Sequence, residues 1–281
     1  MVQAHPWDKA AAGWNSHAVA IRTWLRGATQ AMLDAAQVQA GARVLDIAAG
    51  AGDQSLDIAQ RVGQHGLVLA TDISPGILAL AKANAMAAGY PQVNTQLADA
   101  QSLGLAGANF DAAVSRLGLM FCREPQRAFQ QAHAALKPNG RLAALVFAQP
   151  QHNPCLVISI ATARKHAGLP PLSLDRPGDY CEPGSLMSLG QPALLASLLA
   201  DAGFVDVKVG PVAAPFGLPS AQHYIDFLRS AASPLMVMLA QLSVPAQQAA
   251  WDDMAEQLSQ FNTSDGWVGP NELLLCSARA P

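Results

Sequence analysis

The sequence predicts an α/β protein built on a doubly wound, mostly parallel sheet, and three observations predict it. Short apolar runs alternate with helix-period segments through the first 148 residues, the spacing of strand–helix–strand units. A Gly-x-Gly turn, Gly50-Ala51-Gly52, directly follows the first of those runs. Acids stand at the ends of three successive runs: Asp46, Asp72 and Asp99. Parallel strands joined by helices bury both sheet faces, cross over right-handedly and bind ligands at their carboxyl ends.

Each element has its own signal. Apolar residues at Val19, Trp24, Leu25, Met32 and Leu33 predict a helix over 16–38, ended by Gly41. Residues 43–48 read as a buried strand, and a helix over about 54–62 leaves the glycine turn. Residues 66–73 are a second strand. Ser74 then suits an N-cap and Pro75 a first helical turn, opening a helix to about residue 88. Strands follow at 93–98 and 110–117, a helix at 125–136, a Pro138-Asn139-Gly140 turn, and a fifth strand at 141–148.

The second half changes character. Residues 149–191 are rich in Pro and Gly and read as an irregular lid. A helix at 192–202 ends at Gly203, and 204–212 alternates as a strand. Two or three helices fill 220–261, broken near Pro234 and Pro245, and 272–278 is a last strand. The organisation is a helical cap (1–38), a Rossmann-like ligand-binding core (39–148), a lid segment with its helix (149–202), and C-terminal strands (203–281) carrying a helical insertion at 219–262.

Composition narrows the function. With 281 residues, 51% hydrophobic and 13% charged, the chain can bury one large core or a core with a lid. A net charge of −3 without a basic stripe argues against a nucleic-acid partner. The most apolar stretches, 142–148 and 235–240, fall far short of the ~20 residues that span a bilayer. The first fourteen residues carry no apolar signal region, so a cytoplasmic protein is expected. Cys122, Cys155, Cys181 and Cys276 are scattered without metal-ligand spacing and should stay reduced.

The chemistry concentrates around Val44-Leu45-Asp46-Ile47-Ala48-Ala49-Gly50-Ala51-Gly52-Asp53. Gly50 and Gly52 let backbone approach a ligand where a side chain would clash. The following helix presents unpaired N–H groups. Asp72, twenty residues after Gly52, stands where an acid takes both ribose hydroxyls. Asp99 suits an exocyclic adenine amine. A nicotinamide or flavin site also uses a glycine turn and a downstream acid, and a tight turn with no ligand is the plain alternative. Here Ser55 replaces the third glycine of that pattern. Asp46 and Asp53 put negative charge around the loop, which opposes a pyrophosphate and suits a cofactor bearing a sulfonium and an ammonium.

Taken in order, Val44–Gln54, Ala70–Ser74, Ala98–Ala100, Phe110–Arg116 and the Leu136–Arg141 turn resemble the motifs of class I S-adenosylmethionine-dependent methyltransferases. The Leu-Asp-x-Ala-x-Gly-x-Gly-Asp run is most similar to the ubiquinone/menaquinone C-methyltransferase branch. The similarity covers about Trp7 to Phe147 and thins beyond. Ala48 stands where the general loop has its first glycine, and Asn139 where a Pro-Gly-Gly turn has a glycine. The resemblance implies a seven-stranded Rossmann-like methyltransferase fold with a helical lid. Its last strand is antiparallel, in a hairpin with the strand at 204–212. It implies S-adenosyl-L-methionine as cofactor, held by Asp46, Ala48, Gly50 and Gly52 of the loop, Asp72, Ile73 and Ser74 after the second strand, Asp99 and Ala100 after the third, and Arg116 and Leu117 after the fourth. A surface salt bridge is the other reading of Arg116. Trp7 and Trp14 lie where related proteins set an aromatic over the cofactor, an arrangement favourable to a sulfonium; helix packing is the alternative for both.

Methyl transfer needs alignment and water exclusion more than acid–base chemistry. Apolar lid residues such as Leu156, Met187, Phe216, Phe227 and Met236 are available for a pocket or for plain core. His152, just after the fifth strand, is the best-placed candidate base if one is used. The expected partner is a small organic methyl acceptor: quinone-like, phenolic or a natural product. A cofactor-binding cyclase or ligand-binding protein that does not methylate is an alternative, because fold does not fix reaction.

Overall fold

The computed structural model describes residues 13–176 and 178–281. Trp7, named above as a candidate aromatic, lies outside the described residues. Helix α1 (Ala18–Ala35) buries Ile21, Leu25, Ala28, Thr29, Met32 and Leu33, a stripe at three- and four-residue spacing. There follow β1 (Arg43–Ile47), α2 (Asp53–Val62), β2 (Leu67–Asp72), α3 (Pro75–Ala87), β3 (Val93–Leu97), β4 (Phe110–Arg116), α4 (Pro125–Ala135) and β5 (Leu136–Phe147). Ser74 caps α3 as expected: its Oγ accepts the Ile77 N–H at 3.1 Å, and Pro75 fills the first helical position.

The second half supplies α5 (Pro154–His166), α6 (Pro192–Asp201), β6 (Val205–Ala213), β7 (Phe216–Leu218), α7 (Ala221–Ala231), α8 (Ser233–Leu239), α9 (Val244–Leu258), β8 (Asn262–Thr263), β9 (Gly266–Gly269) and β10 (Glu272–Arg279). The seven-stranded sheet has the order β3-β2-β1-β4-β5-β10-β6. β1 pairs in parallel with β2 and β4, whereas β10 runs antiparallel to both β5 and β6. The strand order reverses between β1 and β4, and ligand sites form at such a switch point. No helix among the described residues is long and apolar enough to cross a membrane.

Three expectations need correction. Residues 149–191 are not wholly irregular, because α5 occupies Pro154–His166. Its Pro and Gly neighbours (Pro150, Gly168, Pro170, Pro171) lie outside the helix and Pro154 sits at its first position, where proline is tolerated. The composition of the segment hid a helix whose interior has neither residue. Second, Pro138-Asn139-Gly140 belongs to β5 rather than preceding it. Asn139 adopts a φ of 66°, its N–H donates to the Ala280 carbonyl at 2.9 Å, and Ala280 donates back to Gly140 at 2.9 Å. The turn is thus stitched to the far end of β10. Third, the helical insertion is bracketed by the strands of a small antiparallel sheet, β7-β9-β8, which the sequence did not announce. Its strands span two to four residues, too short for a period-2 pattern. Trp267 anchors it, fully buried, with Nε1 donating to the Leu258 carbonyl at 2.8 Å.

Asn153 holds the point where β5 hands the chain to the lid. Its buried Nδ2 donates to the carbonyls of Ala148 (3.2 Å) and Glu272 (3.1 Å), and its Oδ1 accepts the Glu272 N–H at 3.1 Å. Asn153→Ala removes these bonds, although the Glu272 carbonyl keeps the Ala148 N–H at 3.0 Å. It is expected to lower the stability by about 2–4 kcal/mol, read as a fall in the urea midpoint.

Candidate functional site

β1 ends in Asp46, which has no exposed surface. The loop beyond it turns through three left-handed residues, Ala48 (φ 54°), Gly50 (φ 59°) and Gly52 (φ 84°). A Cβ on Gly52 would stand 3.0 Å from the Ala81 Cβ, so glycine here lets α3 pack against the loop. Ala48 tolerates a conformation that favours glycine. It meets Gly118 after β4, where an added Cβ would come within 2.4 Å of the Ala48 Cβ. The β1 and β4 loops therefore touch, as a switch-point site requires.

Asp72 ties the loop to the end of β2. Its Oδ2 accepts the Gly50 N–H and its Oδ1 the Ser74 N–H, each at 3.0 Å. Ile73 is partly exposed beside it. At the end of β3, Asp99 is half-buried and accepts the Gln101 N–H at 2.8 Å, capping the short turn Ala100–Ser102. The structure thus brings Asp46, Ala48, Gly50, Gly52, Asp72, Ile73, Ser74, Asp99 and Ala100 to one end of three adjacent strands. Leu117, at φ 59°, flanks the same end from β4.

Asp46 does not face the loop N–H groups. Its carboxylate accepts from Ser55 Oγ at 2.5 Å and from the Gln54 amide, both on α2. Burial pushes the Asp46 carboxyl up to about 7, against the hydrogen bonds from Ser55 and Gln54 that pull it down. Ser55, noted in sequence as the missing third glycine, is therefore a buried support for the strand-end acid. Gln54 was not singled out; its Oε1 is buried and finds no partner among the described residues.

Arg116 is not on the surface. Its guanidinium is buried, donates to Thr29 Oγ1 of α1 at 2.8 Å and pairs with Asp53 at the start of α2. This corrects the charge argument made from sequence: Asp53 is paired with Arg116, and burial makes Asp46 harder to ionise than an ordinary carboxyl.

Residues 13–17 roof the loop. Trp14 lies over Gly50, where an added Cβ would be 3.7 Å from the indole Nε1. The indole meets Phe227 of α7 with ring centroids 6.0 Å apart. His17 stands edge-on to Phe227 at 5.4 Å, and its Nε2 is 2.9 Å from Ser230 Oγ. Below, Asn84 Nδ2 donates both to Asn15 Oδ1 (2.8 Å) and to the Ala51 carbonyl (2.9 Å). Asn15, Asn84 and Ser230 carry no sequence signal, because their roles depend on segments distant in the chain. His152 lies on the turn Pro150–His152 that follows β5, with its ring half-exposed and its Nδ1 against Glu272 of β10.

A parallel sheet with a glycine loop at its switch point, acids closing the neighbouring strands and an aromatic roof defines a nucleotide-type cofactor site. Residues 44–140 match the family described as Methyltransferase domain. The ubiquinone/menaquinone biosynthesis C-methyltransferase UbiE of Haemophilus ducreyi is 32% identical over 123 residues, covering 43% of this chain and 48% of that protein. The chain therefore spans about half the length of that relative. The demethylmenaquinone methyltransferase of Renibacterium salmoninarum is 31% identical over 191 residues, covering 66% of this chain and 75% of that protein. The crystal structure of the cyclase SpnF shares the fold, with a TM-score of 0.54 at 22% identity over 90% of this chain and 80% of that one. The chain belongs to the class I S-adenosylmethionine-dependent methyltransferases, and S-adenosyl-L-methionine is its cofactor.

Asp46→Asn tests the buried acid. A carboxyl raised in the folded state is unpenalised below its unfolded value and costs stability as pH rises through the folded one. Relative to the wild type, the asparagine variant should gain thermal stability between pH 5 and pH 8. Parallel thermal melts at the two pH values check the sign.

Proposed function

We propose that this protein transfers the methyl group of S-adenosylmethionine to a small organic acceptor held beneath the roof formed by Trp14 and Phe227. The observation that carries this reading is that roof, set directly over Gly50 and beside the β4 loop. The residues suit the cofactor. The backbone at Gly50 is bare toward the indole, and each carboxylate oxygen of Asp72 accepts more than one hydrogen bond. Asp72 then takes the ribose hydroxyls while still bracing the loop, and Asp99 with its turn takes the adenine amine. When bound, the cofactor supplies a methyl group already activated on a sulfonium.

The chain's own contribution is alignment and exclusion of water. Trp14 lies beside Gly50, and an aromatic ring near a sulfonium is favourable. Trp14 and Phe227 are the apolar groups that would keep water from the reacting atoms. Arg116, Asp53 and Thr29 hold β4, α2 and α1 in one frame, so the loop presents its backbone at a fixed depth. For an acceptor that must lose a proton, His152 is the base this reading offers, its ring oriented by Glu272. The same reading places the work in the cytoplasm.

Saturation with S-adenosylhomocysteine at ~100 Kd should stabilise the fold by about 2.7 kcal/mol, whereas NAD should leave the melting temperature unchanged. Stabilisation by NAD alone would overturn the reading. Incubation with methyl-labelled cofactor and a metabolite extract should label a small acceptor. Binding without any transfer favours the cyclase-like alternative, a chemistry this fold hosts in SpnF. Asp72→Ala should weaken S-adenosylhomocysteine binding at least tenfold in calorimetry, through loss of both the ribose acceptor and the loop brace.

A further inference from the structure

Asp99 can select a base only if its carboxylate is held in one direction, and a neighbouring side chain holds it. Resting on the cofactor assignment above, we propose that Gln101 is a positioning residue for base selection. Its amide locks the Asp99 carboxylate where it accepts an exocyclic amine and repels a 6-oxo group, so the site takes S-adenosyl ligands and discriminates against S-inosyl ones.

The amide is held at both ends. Its Nε2 lies 3.2 Å from Asp99 Oδ1 and 3.2 Å from Oδ2. Its Oε1 accepts the Glu124 N–H at 2.8 Å, and Glu124 is the residue that precedes α4. The orientation of the amide follows from this network, because only its oxygen can meet an N–H and only its nitrogen a carboxylate. The Gln101 backbone N–H adds a further contact to Oδ1 at 2.8 Å. A nitrogen equidistant from both oxygens stands in front of the carboxylate, and the backbone N–H pins one side of it.

The terminal torsion of an aspartate is soft, with a broad range of angles populated. Three contacts from one residue oppose that rotation. They also decide which oxygen is left. A carboxylate has about four acceptor sites. Oδ1 takes two contacts from Gln101 and Oδ2 one, so Oδ2 keeps capacity for a ligand N–H. Adenine offers an amine to such an oxygen. A 6-oxo purine sets lone pairs against lone pairs, and its adjacent N1–H is met only by a carboxylate free to turn. A fixed polar group that the wrong ligand leaves unpaired is a strong source of discrimination. Glu124 gives the brace its footing: the amide refers the acid after β3 to the start of α4 as well as to its own turn.

Calorimetry on the full chain with S-adenosylhomocysteine and S-inosylhomocysteine reads the selection directly. Gln101→Met keeps the side-chain length without the amide. Gln101→Glu keeps an oxygen for the Glu124 N–H but sets a second carboxylate against Asp99. The wild type should prefer the adenosyl ligand by roughly a hundredfold or more. Both variants should lose at least about tenfold of that ratio, the scale of a hydrogen bond to a charged group. In an Asp99→Ala background, Gln101→Met should leave the ratio unchanged, because the amide then has nothing to hold. A merely structural role would weaken both ligands together and leave the ratio as in the wild type. An unchanged ratio in both single variants therefore overturns the proposal while leaving the cofactor assignment intact. So does tighter adenosyl binding by Gln101→Met, which would mean that the amide occupies the place of the amine, or a wild type that binds both ligands equally. A wild type that binds neither ligand overturns the cofactor assignment itself.

Discussion

A single carboxylate organises the site. Asp72 closes β2 and accepts N–H groups from both sides, Gly50 of the loop and Ser74 at the start of α3. Without that bridge the loop would have to place its left-handed turn unaided, and the α3 N-terminus would lose its reference to the sheet. Charge-assisted hydrogen bonds to backbone are among the stronger ones a protein makes. The same buried group stands at the sheet's ligand end.

Beneath it lies a second layer of polar order. Asp46, Gln54 and Ser55 form a compact buried cluster, and Arg116 with Asp53 and Thr29 forms another. Burying such groups is costly, and a buried pair is weak support for stability in itself. Their placement is more informative: they fasten α1, α2, β1 and β4 to one another at the base of the loop. Loop position is thus set by hydrogen bonds from beneath, and apolar contacts from Trp14 and Phe227 close it from above.

The core of this arrangement was legible in the sequence because it is local. Asp46, Gly50, Gly52, Asp72, Ser74 and Asp99 are each fixed by a strand that ends nearby, and strand ends follow from hydrophobic runs. The antiparallel last strand and the helical lid were legible through resemblance. What escaped is what depends on distant pairs. Arg116 read as either a ligand contact or a surface ion pair, because nothing in its neighbourhood revealed Asp53 and Thr29 as partners across 63 and 87 positions. α5 was obscured by the prolines that flank it. Charge around the loop was overcounted for the same reason: sequence shows how many acids are present, but not which are paired or desolvated.

The order of strands has a consequence for how the chain matures on the ribosome. β6 is an edge strand that reaches the sheet through β10, which is inserted between it and β5. About sixty residues of lid separate β6 from β10, so β6 waits, hydrogen bonds unmet, until the whole lid has emerged. The cofactor loop, by contrast, is complete once β4 has paired with β1. A nascent chain would thus own the formed loop well before the far edge of its sheet.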